Sequence, residues 1–283
     1  MIRQEVDLHI HSSCSDGSDP VPALVEKLRR AGIRIFSLTD HDTVLGLGEA
    51  RALVPEDMVF LPGAEFSCAA GAIKCHILGY GFDPSDEGLL DMIRSASGLR
   101  RKKLRLRLDR LREEHRIEFG RKELDWLFRQ PSAGRPHLAE LLIRRGLVSS
   151  PREAFDRFLD GMPSPRIDAG TAIRAILAAG GIPVWAHPFG ETAKDFLTEE
   201  EVLDRLPVLE ALGIRGLECY YSQYGGARSR FLLETARARG LLISGGSDYH
   251  GTRKEIDLGD LGRDAPKLDP LEDLTVLRAA GIR

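Results

Sequence analysis

Only four cysteines, Cys14, Cys68, Cys75 and Cys219, occur in 283 residues, and no two form a C-x-x-C pair. That spacing argues against a structural zinc knuckle, and scattered cysteines fit a reducing cytosol. No apolar run approaches the roughly 18 residues that a membrane span needs. A strand pattern begins within a few residues of the start, which leaves no room for a secretory leader. The expected location is therefore cytoplasmic, with no membrane attachment. Charge excess is also missing. The net charge is −3 and the isoelectric point about 6.3, which does not suggest a general nucleic-acid coat protein. A local basic pocket can still sit on a neutral surface. Internal repeats and low-complexity tracts are absent, and nothing points to an obligate protein partner.

What is present is ordinary soluble composition, 42% hydrophobic and 29% charged, in a chain long enough for one large α/β barrel with a smaller insert. Strands are expected over 6–10, 33–38, 58–61 and 73–81. Helices are expected over 20–32, opened by Pro20 and Pro22, and over 47–53. This is the alternation of βα units and a mostly parallel sheet. From 89 to about 160 the pattern turns helical, with helices expected over 88–115, 123–128, 136–145 and 152–159. Leu104, Leu108 and Leu111 form an apolar stripe in the first of these. The βα pattern then returns, with strands at 182–186, 214–219 and 241–244. Helices are expected over 171–179, 202–212, 231–239 and 271–280. We expect a barrel built from 1–88 and 166–283, with 89–165 as a helical insertion or cap.

His9 and His11, two apart on a strand, project to one side. Of the eight histidines, His9, His11, His41, His187 and His250 end a predicted strand or closely follow one, and His76 lies within one. His115 and His137 fall in the insertion. Asp7, Asp16, Asp40, Asp42, Glu65 and Asp248 accompany the first group. Mixed imidazole and carboxylate donors suit Mn²⁺, Fe²⁺ or Zn²⁺ better than Mg²⁺ or Ca²⁺. The run Arg100-Arg101-Lys102-Lys103 with Arg105 and Arg107 reads as a solvated helix face balanced by nearby acids. Cys14 reads as small filler and His115 as a surface residue.

Six motifs occur in order: His9-Ile10-His11 with Asp16-Gly17, Thr39-Asp40-His41-Asp42, Gly63-Ala64-Glu65, His76, Ala186-His187-Pro188 and Ser247-Asp248-Tyr249-His250. Together they resemble the PHP (polymerase and histidinol phosphatase) metal-dependent phosphoesterases. The resemblance implies a distorted (β/α)7 TIM-like barrel with two to three divalent metal ions. On the family pattern, His9, His11, Glu65 and Asp248 hold the first. Glu65 bridges to a second, held also by His76 and His187, and His41, His250 and Asp16 hold the third. Many histidinol-phosphate phosphatases have histidine where this chain has Asp16. The Ser15-Asp16-Gly17 form, with a helical insertion, looks more like the subgroup acting on nucleoside 3′,5′-bisphosphates and RNA 5′ ends. An anionic ligand there tilts the metal choice toward Mn²⁺ over Zn²⁺.

The resemblance thus implies hydrolysis of a phosphomonoester, with divalent ions neutralising the phosphate and lowering the pKa of a bridging water. Asp248 and Asp40 are the expected catalytic carboxylates. Asp248 would orient that water, and Asp40, like Asp7, would accept the free N–H of a ligand histidine. Arg135 and His137, opening a predicted helix whose N-terminus favours anions, are the expected substrate contacts. Arg166 is a further candidate. The expected substrate is a small phosphorylated nucleotide or a short RNA 5′ end. The alternatives are a histidinol-phosphate phosphatase and a non-catalytic PHP-like binding domain.

Overall fold

In the computed structural model, which describes residues 4–161, 164–194 and 196–283, eight strands form one sheet that curls almost into a barrel. Strand β1 (Val6–Ile10) is followed by helix α1 (Val21–Ala31), β2 (Ile35–Leu38) and α2 (Leu47–Leu53). Then come β3 (Val59–Ala70) and β4 (Ile73–Tyr80) with no helix between. The order across the sheet is β1-β2-β3-β4, then β6 (Ile182–Trp185), β7 (Gly216–Tyr221) and β8 (Leu242–Gly246). The end of β8 returns to β1, where the His11 amide donates to the Tyr249 carbonyl and the Asp248 amide to the His9 carbonyl. A two-residue strand, β5 (Ile167–Asp168), pairs with the far end of β3.

The expected parallel pattern holds except at β4. Only Gly71 and Ala72 separate β3 from β4, so the pair is a hairpin, and β4 runs antiparallel to both β3 and β6. A parallel partner would have needed a crossover of a dozen residues. Gly71 takes a left-handed φ of 58° at that turn. The third strand also runs well past its predicted end, because the ladder with β4 continues through Ala70.

Helices close the outside. In α1, Val21, Leu24, Val25 and Leu28 are buried at helical spacing, and Gly32 ends it with φ 79°. Further on lie α7 (Ala169–Ala178), α8 (Glu199–Leu212) and α9 (Gly226–Arg239). Thr198 and Glu201 form a capping box at the start of α8. The predicted last helix is two, α10 (Pro270–Asp273) and α11 (Thr275–Ala279), because Leu274 leaves helical geometry at φ −104°, ψ 79°.

The segment between β4 and β5 begins with α3 (Glu87–His115), capped by Asp86, which accepts from the Leu89 amide. It continues with α4 (Arg121–Arg129), α5 (Arg135–Arg144) and α6 (Pro151–Ala154), the last extended by a wider helical turn to Leu159. Leu104, Leu111, Leu127, Leu138, Leu141 and Leu142 are buried in a core of their own, apart from the barrel core. No described helix is long and apolar enough to cross a membrane.

Candidate metal centre

Six histidines converge where the strands end. His9 and His11 come from β1, with ring centroids 5.2 Å apart. His41 follows β2, and its ring lies 4.7 Å from His11 and 5.2 Å from His76 of β4. His187 follows β6 and lies 5.1 Å from His76. His250 follows β8 and stacks on His11 at 4.1 Å. This approach of β8 to β1 depends on Gly246. A Cβ there would lie 2.3 Å from His9 Cβ and 2.4 Å from its amide nitrogen. Gly17 does the same for the next loop, where a Cβ would meet the His11 carbonyl oxygen at 2.3 Å.

Glu65, 1% exposed, stands at the centre. Its Oε2 lies 3.4 Å from His9 Nε2, 3.3 Å from His11 Nε2 and 3.0 Å from His41 Nδ1. Its Oε1 lies 2.8 Å from His76 Nδ1 and 3.1 Å from His187 Nε2. Asp248 Oδ1 is 3.6 Å from His9 Nε2, 3.3 Å from His11 Nε2 and 3.3 Å from His250 Nδ1. Asp16 lies 3.6 Å from His11, 3.7 Å from His41 and 3.3 Å from His250.

Burial pushes the Glu65 carboxyl up, but the imidazoles of His41, His76 and His9 outweigh it and hold it well below the usual range. Asp16 is held down the same way by His41 and His250, and Asp248 by Lys254 and His250. Burial would lower His9; the Glu218, Glu65 and Asp248 carboxylates reverse this and hold it well above its ordinary value. His11 is raised to about 9, its burial outweighed by Asp248 and Glu65. Burial dominates at His76 and His250, both lowered to about 4.

These donors fit divalent metal. Among the described residues, His9 Nε2, His11 Nε2 and His41 Nδ1 are buried and form no hydrogen bond. Such orphaned nitrogens are costly unless something else satisfies them. Donor atoms within 4.8 Å of one another form four groups: His9, His11 and Asp248; His11, Asp16, His41 and His250; His41, Glu65 and His76; and His76, His187 and Glu191. Every residue expected as a ligand stands in one of them. Glu191 joins the set without having been singled out.

Other expectations are met differently. Among the described residues, neither Asp7 nor Asp40 accepts an imidazole N–H. Asp7 takes the Ser247 amide (2.9 Å), the Ser247 hydroxyl (2.6 Å) and the Gly259 amide (2.8 Å). Asp40 takes the Ser12 amide (2.8 Å) and hydroxyl (2.6 Å), so it fastens the loop that carries Asp16. Both carboxylates are consumed by the backbone and serines next to them. The imidazole partner is Glu218 of β7, fully buried, whose Oε1 lies 2.9 Å from His9 Nδ1 while Oε2 accepts the His187 amide at 2.8 Å. Its sequence signal was one charge inside an apolar strand. Around Asp248, the Tyr221 hydroxyl donates to Oδ2 at 2.8 Å, and Lys254 forms an ion pair.

Three of the four described non-glycine residues with left-handed φ sit here: Asp42 (54°), His187 (30°) and Asp248 (60°).

Arg135 pairs with Asp160 at 3.0 Å, lies over the Phe155 ring and is 41% exposed. His137 is buried with both nitrogens engaged. Nδ1 accepts the Gly134 amide, and Nε2 faces Arg253 Nη1 at 3.2 Å. Arg253 also donates to the Asp16 carbonyl at 3.0 Å and pairs with Glu140 at 2.9 Å, which ties α5 to the Asp16 loop. The basic run on α3 is not wholly a solvated face. Arg101, Lys102 and Arg105 are exposed, but Lys103 and Arg107 are buried and Arg100 pairs with Asp42 beneath the helix.

Residues 7–104 match the family model of the PHP domain. A 5′-3′ exoribonuclease of Haemophilus influenzae is 30% identical over 90% of this chain and 93% of its own. A phosphoribosyl 1,2-cyclic phosphate 1,2-diphosphodiesterase of Eggerthella lenta is 30% identical over 87% and 94%. A 3′,5′-nucleoside bisphosphate phosphatase of Chromobacterium violaceum is 29% identical over 94% and 92%. Among solved structures, a candidate metal-dependent phosphoesterase of Bifidobacterium adolescentis superposes with a TM-score of 0.83 at 26% identity, over 99% of this chain and 97% of that one.

Proposed function

The chain belongs to the PHP family, and on that premise we propose that it hydrolyses the 3′-phosphate of nucleoside 3′,5′-bisphosphates. The same site would also trim RNA from a 5′-phosphorylated end. The observation that carries the reading is Glu65 set among five imidazoles, three of whose buried nitrogens face its Oε2 at 3.4, 3.3 and 3.0 Å without forming a hydrogen bond. Those residues, with Asp16, Asp248 and His250, would hold two to three divalent ions, Mn²⁺ foremost given the mixed N and O donors. Bound there, such ions would neutralise the phosphate, acidify a water and stabilise the leaving oxygen.

The chain's own groups do the positioning. Glu218 holds the Nδ1 proton of His9 and so turns the Nε2 lone pair inward. The Tyr221 hydroxyl and Lys254 fix Asp248 from its outer oxygen, leaving Oδ1 facing His9, His11 and His250. Lys254 also brings a cation to the rim, where an incoming phosphate arrives. Asp40 holds the loop of Asp16, and Arg253 ties that loop to the insertion.

Histidinol phosphate fits less well. It carries one phosphate and a cationic end, and the described cations Arg100 and Arg166 beside the cluster would repel that end. The names of two of the three relatives above also favour nucleotides and RNA. We place the protein in the cytosol, where its four free cysteines suit a reducing environment.

The test is phosphate release, with Mn²⁺ added, from adenosine 3′,5′-bisphosphate, histidinol phosphate and a 5′-phosphorylated oligoribonucleotide. The bisphosphate should give the highest kcat/KM. A far higher value for histidinol phosphate, or no release from any of them, would refute the reading.

A further inference from the structure

The loop after β6 carries a carboxylate, Glu191, that none of the six motifs contains. It stands four residues after His187, and the turn between them decides where it points. The Gly190 amide donates to the His187 carbonyl at 2.7 Å, and Gly190 takes a left-handed φ of 109°. A side-chain-bearing residue rarely adopts that conformation. The chain therefore doubles back toward the histidine it has just supplied.

The turn is gripped from outside by Tyr224. The Phe189 amide donates to the Tyr224 hydroxyl at 2.9 Å, and that hydroxyl donates to the Gly190 carbonyl at 3.3 Å. Phe189 is buried, its ring 5.6 Å from those of Tyr224 and Phe231. The Leu197 amide closes the loop on the Phe189 carbonyl at 2.8 Å. The two residues just before Glu191 are thus held in place.

So presented, Glu191 Oε1 lies 3.6 Å from His76 Nδ1. Donor atoms of His76, His187 and Glu191 lie within 4.8 Å of one another. Glu65 Oε1 faces the same two histidines, 2.8 Å from His76 Nδ1 and 3.1 Å from His187 Nε2. Two carboxylates and two imidazoles therefore surround one small space. Like charges brought this close repel unless a cation lies between them. Among the described residues, Glu191 accepts no hydrogen bond and pairs with no lysine or arginine. Its side chain is 37% exposed, against 10% for His76, so it is the outermost of the four and has open water beside it. Facing inward toward Glu65 is favourable when the two share a cation.

We propose that Glu191 is a fourth protein ligand of the second metal, joining Glu65, His76 and His187, and that Tyr224 is its positioning residue. The assignment rests on the metal-dependent reading above and adds to the three ligands expected at that metal. Two carboxylates offset both charges of a divalent ion. They also harden the donor set, which favours Mn²⁺ over Zn²⁺.

The experiment titrates the metal-free protein with Mn²⁺, and separately with Zn²⁺, against a competing chelator. Glu191→Ala and Glu191→Gln should each weaken one class of Mn²⁺ site by about 10-fold or more, since even partners one step removed from a metal are worth that much. The other sites should keep their affinity, and Zn²⁺ should lose less than Mn²⁺. Unchanged Mn²⁺ affinity, or an equal loss at every site, overturns the assignment. A Zn²⁺ loss as large as that of Mn²⁺ overturns the claim that Glu191 sets metal preference. Tyr224→Phe keeps the ring and removes the hydroxyl. It should weaken the same site by a smaller factor and add nothing in the Glu191→Ala background. A full further loss in that background overturns the positioning role. The titration reads binding alone, so failure of every phosphate ester to turn over would refute the function proposed above and leave the Glu191 assignment standing.

Discussion

Glu218→Gln is a change of one atom type inside a fully buried strand, and its effect follows from two contacts. The carboxylate accepts from His9 Nδ1 at 2.9 Å and from the His187 amide at 2.8 Å. A glutamine has one oxygen and one NH₂, so it serves only one of these donors. If its oxygen faces His9, its NH₂ collides with the His187 N–H. If its NH₂ faces His9, Nδ1 must become the acceptor and the proton moves to Nε2. That nitrogen, 3.4 Å from Glu65, then has no lone pair to give a metal. The first arrangement leaves the buried His187 N–H unsatisfied, costing roughly 1–3 kcal/mol, and both lose the charge that assisted the two bonds. Outer partners of metal-binding histidines are typically worth about 10–100-fold in metal affinity. The expected result is a Mn²⁺ affinity weakened by about that factor in a chelator-competition titration, with a ¹⁵N spectrum showing His9 protonated on Nε2. Wild-type affinity together with an unchanged tautomer would refute the argument that Glu218 orients His9.

Three further outcomes are expected. The unfolded chain keeps the Lys103 proton up to its ordinary pKa of 10.5, whereas the folded protein releases it above about 6. Folding therefore becomes more favourable as pH rises from 6 to 10.5, with the penalty complete below 6. Lys103→Met removes it, so its gain in Tm over the wild type should be larger near pH 6 than near pH 9, by several degrees; a pH-independent gain would contradict this. Gly246→Ala places a Cβ 2.3 Å from that of His9. It should destabilise by roughly 1–3 kcal/mol and weaken Mn²⁺ binding, and a denaturation midpoint matching the wild type would count against the close approach. Arg253→Ala cuts the links among Asp16, His137 and Glu140. Hydrogen exchange across α5 should quicken by about 10-fold or more, and unchanged protection would show that the tie carries no energy.

Much of this was legible in the chain because the signals were local. His-x-His on a strand fixes two rings to one face whatever the rest does, and polar groups after apolar runs repeat at each strand end. The helical block after β4 was equally plain from its spacing. What escaped depended on partners far along the chain. Asp7 and Asp40 sit beside histidines in sequence, yet their acceptors are filled by Ser247, Gly259 and Ser12. Glu218 reaches His9 from 209 residues away. The reversal of β4 was written in the two-residue spacing after Ala70, but the apolar period of a strand is the same in either direction. The α3 cations were hidden by their exposed neighbours. Read at every third or fourth position, 100, 103 and 107 separate from 101, 102 and 105.

The left-handed residues bear on how this protein would respond to laboratory evolution. Asp42, His187 and Asp248 each hold a backbone conformation that costs a side-chain-bearing residue roughly 1–3 kcal/mol. Glycine at any of the three would relieve it. A library screened for heat tolerance alone should therefore enrich glycine at those positions within its first rounds. The survivors would be sturdier and catalytically empty. Thermostabilising this scaffold while keeping its chemistry means fixing those positions in advance and drawing the improvements from the outer helices.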